Sequence, residues 1–151
     1  MNPVKPRSAP WHLWLIGGVS LLFHGFAAYD HVATLTQGEA YMRASGMTGA
    51  QIAYFTTLPP VAILAWTVSV WSGLLGSLAL LMRWSPAARL FLLTTAGSAG
   101  YIVWTFLLSS GVEAMGMAWF MPLLVCAATL ALAYYARRVA PLQSSAKAEA
   151  V

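Results

Sequence analysis

"PPVAILAWTVSVWSGLLGSLALLMR", residues 59–83, carries no charged side chain before its last residue. A hydrocarbon core of about 30 Å is crossed by roughly 20 helical residues. Residues 61–82 meet that length without interruption. Two prolines open the run, and proline is tolerated at the first helical position because its missing N–H has no partner there anyway.

Three further runs of the same kind lie on either side, giving spans at about 11–29, 61–82, 90–109 and 115–136. The fold class predicted is therefore all-α: an integral membrane four-helix bundle. A short two-helix outer segment, residues 30–58, separates spans one and two. The membrane domain covers 1–138, and the polar end, residues 139–151, is expected to be a disordered cytoplasmic tail.

Composition agrees. The 151 residues are 60% hydrophobic and 8% charged, with mean hydropathy +0.71. A soluble domain carries about 25% charged residues. The net charge of +4 does not indicate nucleic acid. Its basic residues punctuate apolar blocks rather than clustering into a phosphate-binding patch. The lipid bilayer is the partner that composition implies. One cysteine, Cys126, excludes an intramolecular disulfide and a cysteine-based zinc site.

Lys5 and Arg7 precede span one, and Gly25-Phe26-Ala27 loosely resembles a signal-peptidase site. The apolar stretch exceeds the 7–15 residues of a typical signal h-region, so a retained helix is expected. With the N-terminus inside, Lys5, Arg7, Arg83, Arg89, Arg137, Arg138 and Lys147 fall on the cytoplasmic side and only Arg43 outside. That asymmetry predicts a bacterial inner-membrane protein with both termini cytoplasmic.

The outer segment contains helix signals. Thr36 and Glu39 have capping-box spacing, as do Thr48 and Gln51, with Met47 and Ile52 placed as a hydrophobic staple. Glu39 and Arg43 stand i,i+4 in the favourable order. Gly46 is a stop signal. Helices are expected at about 37–45 and 49–57.

Small residues form packing tracks at Gly17, Gly25, Ser69, Gly73, Gly76, Ser77, Gly97 and Gly100. Such tracks let membrane helices approach closely, either within the bundle or across a dimer. Pro122 is expected to kink span four.

"FHGFAAYDH", residues 23–31, holds the ionisable groups that raise chemistry. His24 is the ionisable residue well inside a span, and such a residue is a functional candidate. It is expected to hydrogen-bond a hydroxyl of another span, such as Thr67, Ser98 or Thr105. His12, His24 and His31 all lie in or beside span one, so one subunit does not offer a bis-histidine haem pair from two helices. His24 and His31 are about 10.5 Å apart along a helix, too far to share a zinc ion. No cofactor and no metal are expected. No Asp or Glu lies inside a span, unlike the small multidrug exporters with their embedded glutamate. The Pro-Gln motif of three-span sugar carriers is absent. No serine, threonine or cysteine has a partnered base, so an enzyme is not expected.

Residues 11–42, "WHLWLIGGVSLLFHGFAAYDHVATLTQGEAYM", resemble a family of small four-span proteobacterial membrane proteins. The likeness continues through 47–83 and ends at "YYARRV", 134–139. Trp11, His12, Trp14, Gly17, Asp30, Thr34, Thr36, Glu39, Ala40 and Tyr41 match the family pattern. His24 and His31 depart from it, since the family has Asn and usually Tyr there. Phe23 and Gly49-Ala50 depart as well. Some members carry a sugar-transporter label.

The candidate polar cluster is accordingly Asp30, Thr34, Thr36 and Glu39, with His24 deeper. The leading expectation is an accessory or structural membrane protein that packs against partner proteins or itself as a homo-oligomer. The alternatives are an oligomeric small-solute carrier and a membrane sensor or redox helper built on the Asp30–Glu39 side.

Overall fold

The structure, a computed structural model, describes residues 10–148, with side chains to 139. Among these residues all regular structure is helical. The order is α1 (Trp11–Gln37), α2 (Glu39–Ala44), α3 (Gly49–Thr56), α4 (Pro60–Leu81), α5 (Ala87–Val103), a π turn (Trp104–Leu108), α6 (Gly111–Met115), a 3-10 turn (Gly116–Ala118) and α7 (Met121–Ala148). Three helical stretches, Trp11–Gln37, Pro60–Leu81 and Ala87–Leu108, are long and apolar enough to cross a membrane. A fourth crossing exists if Gly111–Ala118 and Met121–Val139, bent by 76° at their break, count as one span.

That break corrects the expected fourth span. Gly116 adopts φ +55°, a left-handed conformation in which glycine is not penalised. The chain turns there, and Pro122 becomes the second residue of α7 instead of a mid-helix kink. At a helix start the missing proline N–H costs little.

The first helix also differs from expectation. It does not leave its run at Asp30 but continues to Gln37. Gly38, at φ +57°, ends it and returns its N–H to the Thr34 carbonyl at 3.1 Å. Thr36 therefore caps nothing in α2. Its hydroxyl donates back to Val32 O at 2.8 Å within α1. Burial of His31, Ala33 and Thr34 keeps the last turns of α1 against the bundle. At the other end α7 continues to Ala148, past the tail boundary at 138. Ala, Leu, Gln and Lys in that stretch favour helix, against Pro141, Ser144 and Ser145 which do not. Lys5, Arg7 and the final three residues lie outside the described residues.

The rest of the outer segment follows its signals. Thr48 and Gln51 form the reciprocal capping box, at 3.3 and 2.9 Å. Arg43 donates to Glu39 at 3.0 Å. Gly46, at φ +79°, closes α2. We call the α2–α3 side the cap. The α4–α5 turn lies at the opposite end, where Arg83 takes φ +59° in a Schellman motif. Its N–H reaches Leu80 O at 3.1 Å and the Trp84 N–H reaches Ala79 O at 2.7 Å.

The long helices pack chiefly α1 on α4, α4 on α5 and α5 on α7. Glycines set these distances. A Cβ on Gly97 would lie 2.7 Å from Ser69 N and 2.8 Å from Ala65 O, so α4 and α5 touch backbone to backbone. Gly17 packs under Leu81 and Gly76 under Phe91. Gly25 meets nothing within 4 Å, and Gly100 makes only an ordinary contact with Ala65.

Candidate functional site

On α1, Ser20, His24, His31 and Thr34 fall within about 80° of one helical face at 100° per residue. All four are buried. This polar stripe faces α4, and its hydrogen bonds identify the state of each ring.

His24 Nδ1 lies 2.9 Å from the Ser20 carbonyl. A carbonyl only accepts, so Nδ1 carries the proton and Nε2 of the neutral ring is an acceptor. Ser77 supplies the interhelical partner, with Oγ 3.2 Å from Nδ1. Ser77 donates to Gly73 O at 2.8 Å and therefore accepts from Ser20 Oγ at 2.7 Å. The hydroxyl from another span thus comes from Ser77, not from Thr67, Ser98 or Thr105. The ring rests directly on Gly73, where a Cβ would collide with it. Nε2 is buried without a partner.

Thr67 instead serves His31. Its hydroxyl donates to Ile63 O at 2.7 Å and accepts from His31 Nε2 at 3.0 Å. Trp66 meets the His31 ring edge to face, centroids 4.6 Å apart. Hydroxyl pairs continue across the other interfaces: Ser69 with Ser98 at 2.7 Å, Ser72 with Thr94 at 2.9 Å, and Thr95 with Thr129 at 3.1 Å. Such bonds average about 0.6 kcal/mol each in membrane bundles. They fix register more than they supply stability.

A cavity of about 280 Å³ opens in the cap-side half between α1, α4, α5 and the start of α7. Its polar wall includes His24, Asp30, Ser98 and Tyr101; Phe55 and Trp66 supply aromatic surface. Met121 and Pro122 line it at the break between the 3-10 turn and α7. The Tyr101 hydroxyl is buried beside the Tyr54 and Thr105 hydroxyls. Toward the opposite end the bundle is closed by an apolar cluster that includes Leu13, Leu80, Phe91 and Val139. Phe91 and Leu80 are 0% exposed, while a second space of about 320 Å³ between α1 and α7 shares Phe23 and His24 with the cavity and reaches Leu15.

The structure brings two of the five candidate polar residues, Asp30 and His24, to this cavity. Asp30 accepts from the Tyr41 hydroxyl at 2.8 Å and so ties α1 to α2. That hydrogen bond holds the Tyr41 phenol above its usual ionisation range. Thr34 is buried with an unpartnered hydroxyl. Thr36 bonds its own helix, and Glu39 pairs with Arg43 on the exposed side of the cap. Among the described residues no three His, Cys, Asp or Glu side chains converge as a metal site would require. Ser98 and Tyr101 carry no sequence signal beyond lying in span three. Only the α4–α5 contact at Gly97 turns them inward.

Compared with known proteins, the chain matches no family model, no curated protein and no solved structure.

Proposed function

We propose that this is a four-span bacterial inner-membrane protein, both termini cytoplasmic, that holds a small amphipathic solute in its cap-side cavity as the binding step of a carrier. The observation that carries this reading is the cavity itself. A bundle that only packs has no reason to leave such a volume, since an unfilled cavity costs stability.

The accessory role depends on tracks free to meet a partner. Gly17, Gly73, Gly76 and Gly97 are filled by Leu81, His24, Phe91 and the α4 backbone of the same chain, whereas Gly25 and Gly100 stay open to one. The solute chemistry follows from the lining. The Ser69, Ser98 and Thr94 hydroxyls are already paired with other hydroxyls, and much of the remaining wall is apolar. A hexose would leave most of its own hydroxyls unpaired. An aromatic or aliphatic body with one or two polar groups fits better.

The test is thermal unfolding of the detergent-purified protein with 4-ethylphenol, indole and glucose. Stabilisation by the first two, absent with glucose and lost in Ala27→Phe, supports the site. No shift in the wild type, or an equal shift in Ala27→Phe, rejects it. Uptake of a stabilising solute by reconstituted vesicles then separates a carrier from a static binder.

A further inference from the structure

The cap-side cavity is continued by a groove. Phe23 and His24 line both, and from them the space of about 320 Å³ runs between α1 and α7 to Leu15. It exists because α1 packs on α4 and α7 on α5, and neither makes its main contact with the other. Leu15, Val19 and Phe23, at i, i+4 and i+8 on α1, form one rim; Ala128 and Leu132 form the rim on α7. The first three are 56%, 59% and 49% exposed. On a membrane-spanning helix that exposure is to lipid, so the groove opens sideways into the bilayer.

The two compartments differ in chemistry. Asp30 lines the cavity on the cap side. One of its oxygens accepts from Tyr41. A carboxylate has about four acceptor positions, so another donor can be received. The groove has no charged residue, and its polar groups are spent inside the protein. Ser20 Oγ pairs with Ser77 at 2.7 Å, and Thr129 Oγ1 donates to Cys126 O at 3.1 Å. The His24 ring packs on Gly73, with Nδ1 bonded to Ser20 O. A polar ligand would find no partner there, and a hydrocarbon needs none. From Phe23 to Leu15 is about 12 Å of helix. An extended chain advances about 1.2 Å per bond, so about ten carbons fill that length.

We propose that the solute is a single-chain amphiphile taken from the bilayer, its polar group donating toward Asp30 in the cavity and its alkyl chain lying in the α1–α7 groove. The groove has this role only if the cavity binds a solute, as proposed above. A closed cavity would reject a long chain. A sideways opening lets the chain stay in an apolar medium, so it gains and loses little on binding.

The experiment compares 4-ethylphenol with 4-octylphenol by thermal unfolding of the detergent-purified full-length protein, with concentrations expressed per mole of detergent. In the wild type the two should bind within about threefold of each other, since detergent tails and groove are alike apolar. Ala128→Trp, which fills the groove, should leave 4-ethylphenol unchanged and weaken 4-octylphenol about tenfold, as overpacking does. Rejection of 4-octylphenol by the wild type, or its unchanged affinity in Ala128→Trp, overturns the proposal and leaves the cavity reading standing. No stabilisation by 4-ethylphenol fails the cavity reading, and this proposal with it. Photolabelling decides without a variant, also where Ala128→Trp loses both ligands. In nanodiscs, 4-octylphenol carrying a diazirine at its chain end should label residues 15–19 and 128–132, and excess plain 4-octylphenol should suppress that label. Labelling elsewhere, or labelling that the excess leaves unchanged because bilayer lipid fills the groove, overturns the proposal.

Discussion

Gly97→Ala tests the central packing claim most directly. The added Cβ would lie 2.7 Å from Ser69 N and 2.8 Å from Ala65 O. Both are backbone atoms and cannot rotate away. Restoring ordinary contact near 3.4 Å requires α4 and α5 to separate by about 0.7 Å. The Ser69–Ser98 and Ser72–Thr94 bonds, at 2.7 and 2.9 Å, would lengthen to about 3.4 and 3.6 Å, weakening the first and breaking the second. Overpacking costs about 1–3 kcal/mol, and each lost bond adds about 0.6 kcal/mol. Alanine recovers about 1 kcal/mol of helix propensity. The net expectation is a loss of about 1–3 kcal/mol. SDS-driven unfolding in mixed micelles, followed by tryptophan fluorescence, measures it. Gly100→Ala and Gly25→Ala are the controls, because their Cβ positions meet Ala65 at 3.5 Å and nothing within 4 Å. A Gly97→Ala protein within about 0.5 kcal/mol of wild type would refute the reasoning. So would a Gly100→Ala protein that loses as much.

Arg83→Gly should stabilise the protein by about 1 kcal/mol, because a non-glycine residue at φ +59° bears a left-handed penalty; the same unfolding assay reads it. Thr48→Ala removes one half of the α3 capping box and should cost about 1 kcal/mol, visible as faster hydrogen exchange at the Gln51 amide. The Tyr41 phenol is held above its ordinary range of about 10 by its bond to Asp30. A raised phenol favours the neutral form in the folded state. Its stabilisation is complete below the unfolded value and fades as pH rises through the folded one. The wild-type minus Tyr41→Phe difference at 295 nm should titrate late, and Asp30→Asn should bring that step down. A Tyr41 step already at the ordinary value would remove the Asp30–Tyr41 tie.

Much of the architecture is legible in the chain because lipid-length apolar runs have few other uses. The spans around Val61–Met82 and Leu90–Ser109 needed only length and charge. The Thr48–Gln51 cap was legible because its partners are three residues apart. Thr36 and Glu39 show the same spacing, yet burial of His31 and Thr34 carries α1 past them. Local spacing yields there to tertiary contact. The break before α7 depends on Gly116 entering a left-handed turn, which no periodicity encodes. The site was half legible. His24 and Asp30 announce themselves by charge in an apolar run. Ser77, Ser98 and Tyr101 acquire meaning only through helix pairing, which is set by which glycine meets which backbone.

The pairing of each long helix with its sequence neighbour bears on biogenesis. α4 can dock on α1 as it emerges, α5 on α4, and α7 on α5. No long helix waits for a partner not yet synthesised, and contacts close in sequence are the ones that form fastest. Assembly can then follow the order of translation. The contact that must wait for the end of synthesis is between His12 Nδ1 and the Tyr135 hydroxyl, 2.6 Å apart, where the last helix meets the first.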